Sequence, residues 1–373
     1  MFDVNAALRA LVQAKGSDLH LKVPAPPMVR VDGDLAPLEG MAPLGPEDTE
    51  AALAAMLDDA AKRAEFAADG EVDFSYAIED VARFRVNAFR QRGTISLVCR
   101  AIPFGVPTLE QLGLPDAIRE LAEEPRGIVL LTGTTGSGKS TTLAAMIDHI
   151  NSTFARHVVT IEDPIEYLHA DKRSVINQRE VGLDTESFRR ALRRVLRQDP
   201  DVILIGEMRD EETVQTALSA AETGHLVLST LHTVDAVEAI NRIVDFFPPH
   251  QANQARSMVA GTLRGIVSQR LVPAAGGSGR VAACEVLRMT GRVRDMVLDP
   301  EQTGQLSEVI ADGAYYGMQT FDQALFALVK NGRVDFDDAL RVASRPNDFK
   351  LLVAADGRRG TTMDDVPVGA GAA

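Results

Sequence analysis

From residue 126 to about residue 231, short apolar runs alternate with amphipathic stretches, the pattern of a parallel sheet buried on both faces and wound by helices. Strands are predicted at 127–131, 157–161, 201–205 and 226–231, each rich in Val, Ile or Leu. Between the second and third of these, Phe188, Ala191, Leu192, Val195 and Leu196 recur at i, i+3, i+4, i+7 and i+8, which predicts a helix burying one face. Arg189, Arg190, Arg193, Arg194 and Arg197 take much of its other side, either as a solvated face or as a subunit interface. Further on, Thr320 and Gln323 form a capping-box pattern ahead of Phe321, Ala324, Leu325 and Leu328, so a helix starts there and stops around Gly332.

Upstream the period shortens to two. Residues 72–78 and 82–90 alternate apolar with polar, as half-buried antiparallel strands do, and predict an α+β unit over residues 1–100. The polar positions are largely arginine: alternation puts Arg83 with Arg85, and Arg90 with Arg92, on common faces. Pro103, Gly105, Pro107, Gly113 and Pro115 then break any regular pattern and make 101–116 a candidate interdomain linker and hinge. The second unit is expected over 117–355, and the Gly/Ala-rich stretch 356–373 as a disordered tail.

Composition narrows the class. A chain of 373 residues, 45% hydrophobic, is long enough for two packed units. A net charge of −14 argues against a protein that coats nucleic acid. No stretch has the apolar length of a membrane span, which leads to the expectation of a cytoplasmic protein. Cys99 and Cys284 are too few for a disulfide framework or a four-cysteine zinc site, and buried thiols are expected.

The candidate chemistry begins after the first apolar run. Gly133-Thr134-Thr135-Gly136-Ser137-Gly138-Lys139-Ser140 is a complete G-x-x-x-x-G-K-[ST], followed by Thr141 and a helical pattern. Glycines let backbone N–H groups close around phosphates, Lys139 reaches the β/γ oxygens, and Ser140 can ligate Mg²⁺ at a helix N-terminus. ATP and Mg²⁺ are the expected ligands. Ile161-Glu162-Asp163-Pro164-Ile165-Glu166 follows the next strand, and Glu162 is the candidate to orient the attacking water. Asp201-Val202-Ile203-Leu204-Ile205-Gly206-Glu207 has the form of a Walker B strand, with Gly206 where that motif carries its metal-binding Asp. Glu207 is then the candidate for Mg²⁺, directly or through water, with a structural cap or ion-pair role as the alternative. His225 and His232 bracket the strand 226–231, roughly 23 Å apart at strand rise, so they cannot share one ligand. His232, at the carboxyl end, is the candidate γ-phosphate sensor, and His225 the structural one.

Together these segments, with Thr223-Gly224-His225 and Leu231-His232-Thr233, resemble the Walker A, Asp box, Walker B and His box of secretion-superfamily ATPases. Within that group the chain resembles the type IV pilus retraction ATPases, the PilT and PilU family, over about residues 1–355. Ser17-Asp18-Leu19-His20-Leu21, Pro27 to Gly33 and Gly317 to Asp322 carry the resemblance outside the ATPase boxes. Arg292 to Val297 departs from the PilT pattern at that place, so the PilT and PilU roles both stay open. The resemblance implies an α/β protein with a PAS-like α+β N-terminal domain and a RecA-like P-loop NTPase domain, assembled as a homohexameric ring. It further implies a Mg²⁺-dependent motor that powers pilus retraction and twitching motility at the inner face of the cytoplasmic membrane, with a PilC-type platform protein and a PilT/PilU paralogue as candidate partners, without zinc or nucleic acid. A pilus-extension or type II secretion ATPase is the alternative. Arg83, Arg85, Arg90 and Arg100 become candidates to reach the triphosphate from the N-terminal domain, with surface arginines as the other reading.

Overall fold

Alternation along the first hundred residues and apolar runs beyond them give two compact units, Met1–Gly105 with Glu166–Leu168, and Val106–Ile165 with the chain from His169 onward. The computed structural model describes residues 2–359 apart from 32, 80, 103, 104 and 278, and it leaves out the side chains of 356–359. Asp32, Pro103 and the expected tail from residue 360 lie outside the described residues.

The first unit runs α1 (Val4–Gln13), β1 (Asp18–Leu21), β2 (Met28–Val31), β3 (Asp34–Pro37), α2 (Pro46–Met56), α3 (Ala60–Asp69), β4 (Glu71–Ile78), β5 (Ala82–Gln91) and β6 (Thr94–Ile102). Its strands form one antiparallel sheet in the order β3-β2-β1-β6-β5-β4. Period-2 alternation sends Phe84, Val86, Ala88, Leu97 and Cys99 into a core shared with Leu8 and Leu11 of α1. Arg83 and Arg85 therefore lie on the other face. The β5–β6 turn is Gln91 to Thr94, with Arg92 at φ 50° and Gly93 at φ 78°. Arg92 is a turn residue and not the strand partner of Arg90 that alternation predicts, because strand geometry stops one residue short of it. The expected linker also begins inside β6, whose pairing with β5 continues to Ile102.

The second unit runs α4 (Asp116–Ala122), β7 (Gly127–Thr132), α5 (Lys139–Thr153), β8 (His157–Glu162), β9 (Val175–Glu180), α6 (Phe188–Val195), β10 (Val202–Ile205), α7 (Glu211–Glu222), β11 (Leu226–Leu231), α8 (Ala236–Asp245), α9 (Ala252–Thr262), β12 (Leu263–Pro273), β13 (Arg280–Arg288), α10 (Gly291–Leu298), α11 (Leu306–Asp312), α12 (Phe321–Lys330), α13 (Phe336–Val342) and α14 (Pro346–Arg359). The sheet order is β13-β12-β7-β11-β10-β8-β9, parallel throughout except for β13. Two apolar clusters cover its faces, one around Ile203, Ala217 and Ile240, the other around Met146, Ile147 and Val158.

The four strands read from the sequence are present, and the sheet adds β9, β12 and β13. Of these, β9 is an exposed edge and β12 carries Ser268, Gln269 and Arg270 in mid-strand, so neither shows a continuous apolar run. The capping box of Thr320 with Gln323 forms as read, and Gly332 follows α12 at φ 65°. α14 continues to Arg359, so residues 356–359 of the expected tail are helical. On α6, Ala191, Leu192 and Val195 are buried, whereas Leu196 is 38% exposed as the C-cap. Of its arginines, Arg189 and Arg193 pair with Glu212 of α7, and Arg190 pairs with Glu186. Cys99 and Cys284 are both buried and free, one in each unit, and burial pushes each thiol up to about 12.

Candidate functional site

The site assembles at the carboxyl ends of β7, β11, β10 and β8, where a parallel sheet opens toward ligands. β7 ends at Thr132, and the loop Gly133 to Gly138 leads into α5, whose first residues are Lys139, Ser140 and Thr141. Gly138 is the N-cap of α5 at φ 90°, and a Cβ there would lie 2.6 Å from Gln269 Nε2. Gly133, at φ 142°, is tighter still: its Cβ would meet Gln269 O at 2.5 Å and Ser137 Oγ at 2.6 Å. Glycine is required at both positions by conformation and by space. The loop thereby turns tightly enough to present backbone N–H groups to an anion at the positive end of α5.

Lys139 is buried within the loop. It is 8% exposed, and its Nζ donates to Gly133 O at 2.7 Å and Thr134 O at 3.0 Å. Burial lowers its pKa, and the Glu207 carboxylate pulls the other way. The ammonium is therefore held across the mouth of the loop by two carbonyls.

Gln269 on β12, which the sequence reading missed, clamps this loop. Its Nε2 donates to Ser137 O at 2.8 Å, and its Oε1 accepts from Thr142 Oγ1 at 2.8 Å. Both ends of a buried amide are thus satisfied. A glutamine amid an apolar run carries no sequence signal by itself; only the register of β12 beside β7 gives it this role.

Glu162 closes β8 and accepts from Thr160 Oγ1 at 2.6 Å and Gln178 Nε2 at 3.2 Å. Glu207 follows β10; one oxygen is paired with Arg209 and the other lies 3.4 Å from His232 Nε2, which follows β11. The structure thus brings Glu207 and His232 together and adds Arg209, whose pKa is raised by its hydrogen bond to Glu207. At Gly206, where the usual aspartate would stand, a Cβ would approach Ile161 O closely at 3.3 Å and touch Glu162 Cα at 3.4 Å, both backbone atoms. His225 lies at the opposite end of β11, its Nδ1 2.9 Å from Ala220 O and 3.3 Å from Thr223 Oγ1.

The N-terminal arginines do not form one cluster. Arg30, Asp18, Arg100 and Arg85 occupy one rung across β2, β1, β6 and β5. Arg100 Nε donates to Asp18 Oδ1 at 2.8 Å, and Asp18 is 5% exposed. Burial alone would raise the Asp18 pKa, but the Ser17 hydroxyl and Arg100 outweigh it and lower the net value. Arg100 thus neutralises a buried carboxylate, while Arg85 remains exposed beside it. Arg90 falls on the opposite strand face and lies over the Phe66 ring at 5.2 Å.

Among the described residues no group of three or more His, Cys, Asp or Glu side chains is arranged to hold a metal ion. Mg²⁺ keeps several waters and is bound by one or two protein oxygens together with substrate phosphates. Ser140 and Glu207 supply hard oxygens on the sheet edge that carries the phosphate loop.

Comparison with known proteins gives concordant results. The family model for type II/IV secretion system proteins matches residues 4–315. A type IV pilus retraction ATPase, PilT of Pseudomonas aeruginosa, is 45% identical over 93% of this chain and 100% of its own length. The PilU ATPase of the same organism is 42% identical over 93% of this chain and 90% of its own. A crystal structure of the pilus retraction motor PilT with bound ADP superposes with a TM-score of 0.87 at 44% identity, covering 94% of this chain and 100% of that one.

Proposed function

We propose, from the premise that this chain belongs to the type II/IV secretion system protein family, that it is a Mg²⁺-dependent ATPase which powers type IV pilus retraction. The observation that carries the reading is the convergence of the phosphate loop, Glu162, Glu207 and His232 on one edge of one sheet. In this reading the loop N–H groups and the α5 N-terminus bind the phosphates, and Lys139 turns from the Gly133 and Thr134 carbonyls to the β/γ oxygens. Glu162, fixed by Thr160 and Gln178, orients the attacking water. His232 reports the γ-phosphate to Glu207 and Arg209 through the contact they share. Ser140 and Glu207 would hold Mg²⁺, which neutralises charge on the phosphates.

Assembly as a ring of six, action on a membrane platform protein, and cooperation with a PilT- or PilU-type paralogue belong to the same proposal. Membership of the family and the PilT and PilU likenesses support them. Among the described residues no helix is long and apolar enough to cross a membrane, so the proposed place at the inner face of the cytoplasmic membrane rests on docking.

Phosphate release from ATP by the purified chain, lost in Lys139→Ala with the fold intact, tests the enzyme reading. Deleting the gene tests the direction of work. Excess pili that do not retract are expected, and bald cells would assign the chain to extension.

A further inference from the structure

The sheet carries a buried polar rung that the mechanism above does not use. Thr132, Ser268 and Glu285 lie side by side in register on β7, β12 and β13, and all three are buried, Glu285 at 7% exposure. Thr132 Oγ1 donates to Ser268 Oγ at 2.9 Å, and Ser268 lies in register opposite Glu285, where its hydroxyl favours the ionised carboxylate. Thr132 is the last residue before the phosphate loop. At the other end, Glu285 Oε1 accepts from Ala236 N at 2.9 Å, the first residue of α8, four positions after His232.

We propose that Glu285 is a positioning residue that couples the phosphate loop to the segment carrying His232. A carboxylate contributes nothing to a strand's apolar packing and costs desolvation, so its presence at this rung calls for a specific partner set. It has one: a hydroxyl chain ending at the phosphate loop, and the free N–H that opens α8. A hydrogen bond to an ionised acceptor is roughly twice as strong as a neutral one, so ionisation tightens both links together.

The charged groups around Glu285 are Asp235, which caps α8, and Arg270 on β12, with Asp322 of α12 behind Arg270. Arg270 is itself held by Val342 O at 2.7 Å and Ser344 Oγ at 3.0 Å and lies over the Phe321 ring at 3.8 Å. It is anchored to the C-terminal helices through these contacts. Burial, aided by Asp235 and opposed by the Ala236 N–H, Arg270 and Ser268, pushes the Glu285 carboxyl up to about 7. The link therefore loosens and tightens near neutral pH.

The inference rests on the ATPase reading and is tested by steady-state phosphate release across pH 5.5 to 9, with ADP affinity read separately from a fluorescent ADP analogue. Wild type should show an acid limb in kcat with a midpoint near 7. Glu285→Gln should lose that limb and lower kcat about tenfold or more, as a misplaced catalytic group does, with ADP affinity within about twofold. Ser268→Ala leaves the carboxylate in place but cuts its path to Thr132. It should lower kcat similarly, and it carries the test if Glu285→Gln fails to fold. Variants with the wild-type kcat and pH profile would overturn the inference. A wild-type chain that releases no phosphate at any pH overturns the ATPase reading and the inference with it, and it shows this before any variant is compared.

Discussion

At the scale of single residues, the two glutamates to which the proposed mechanism gives different roles have different surroundings. Glu162 accepts from a hydroxyl, Thr160 Oγ1, and an amide, Gln178 Nε2. Glu207 is engaged by a guanidinium and an imidazole. Glu162→Gln should keep nucleotide and Mg²⁺ binding while slowing hydrolysis about 10²- to 10⁴-fold, the range for a lost general base. Glu207→Gln should also shift the Mg²⁺ titration, and indistinguishable titrations would refute the division. Glu285 gives a stability prediction with the opposite sign from a typical carboxylate. Its folded pKa is about 7 against an ordinary 4.5, so its contribution is fully present below 4.5 and is lost as pH rises through 7. The shift corresponds to roughly 3 kcal/mol. Denaturant titrations at pH 5 and pH 8 should show this loss in wild type and its absence in Glu285→Gln.

At the scale of elements, the packing argument is sharpest at β5 and at the phosphate loop. Phe84 is fully buried between Arg83 and Arg85, and Phe84→Ala should cost about 3–5 kcal/mol, measured by chemical unfolding. Gly133→Ala meets a backbone oxygen in a conformation that alanine resists; it should lower Tm and abolish nucleotide binding. Much at this scale was legible in the sequence. The β7, β8, β10 and β11 strands, the α6 stripe and the Thr320 cap announce themselves through apolar periodicity or local capping chemistry. Gly133 to Ser140, Glu162 and Glu207 were legible because a motif or a strand end marks them. What stayed hidden was polar chemistry inside β12 and β13. Gln269, Ser268 and Glu285 acquire partners only through the register of strands more than a hundred residues from Thr132 in the chain, and no local pattern encodes that pairing. Arg92 was misread for the converse reason: alternation was extended across a turn that a left-handed Arg-Gly pair had already begun.

At the scale of the whole molecule, in the proposed ring, Arg83 and the exposed Arg85 are the N-terminal candidates to act on another subunit's nucleotide. Arg100 is committed to Asp18 and Arg90 to Phe66, which narrows the set left by the sequence. Arg85→Ala should lower kcat far more than nucleotide affinity if it stabilises charge in the transition state. Mixing Arg85→Ala chains with Lys139→Ala chains should then restore part of the phosphate release that each lacks alone. Mixtures with no recovery would place its action within one chain or return it to the solvated face.

Cys99 and Cys284 give each unit its own built-in clock. Both thiols are sealed inside cores and held at about 12, so the native protein should ignore a thiol reagent at neutral pH. Reaction then requires opening, and each sulfur reports only the unit that encloses it. Mass-resolved labelling of the two peptides would time the breathing of the N-terminal unit and of the ATPase unit separately, in the wild-type chain and during turnover. Because neither native thiol competes for a probe, a dye or spin label can be placed at a single engineered cysteine without first removing them.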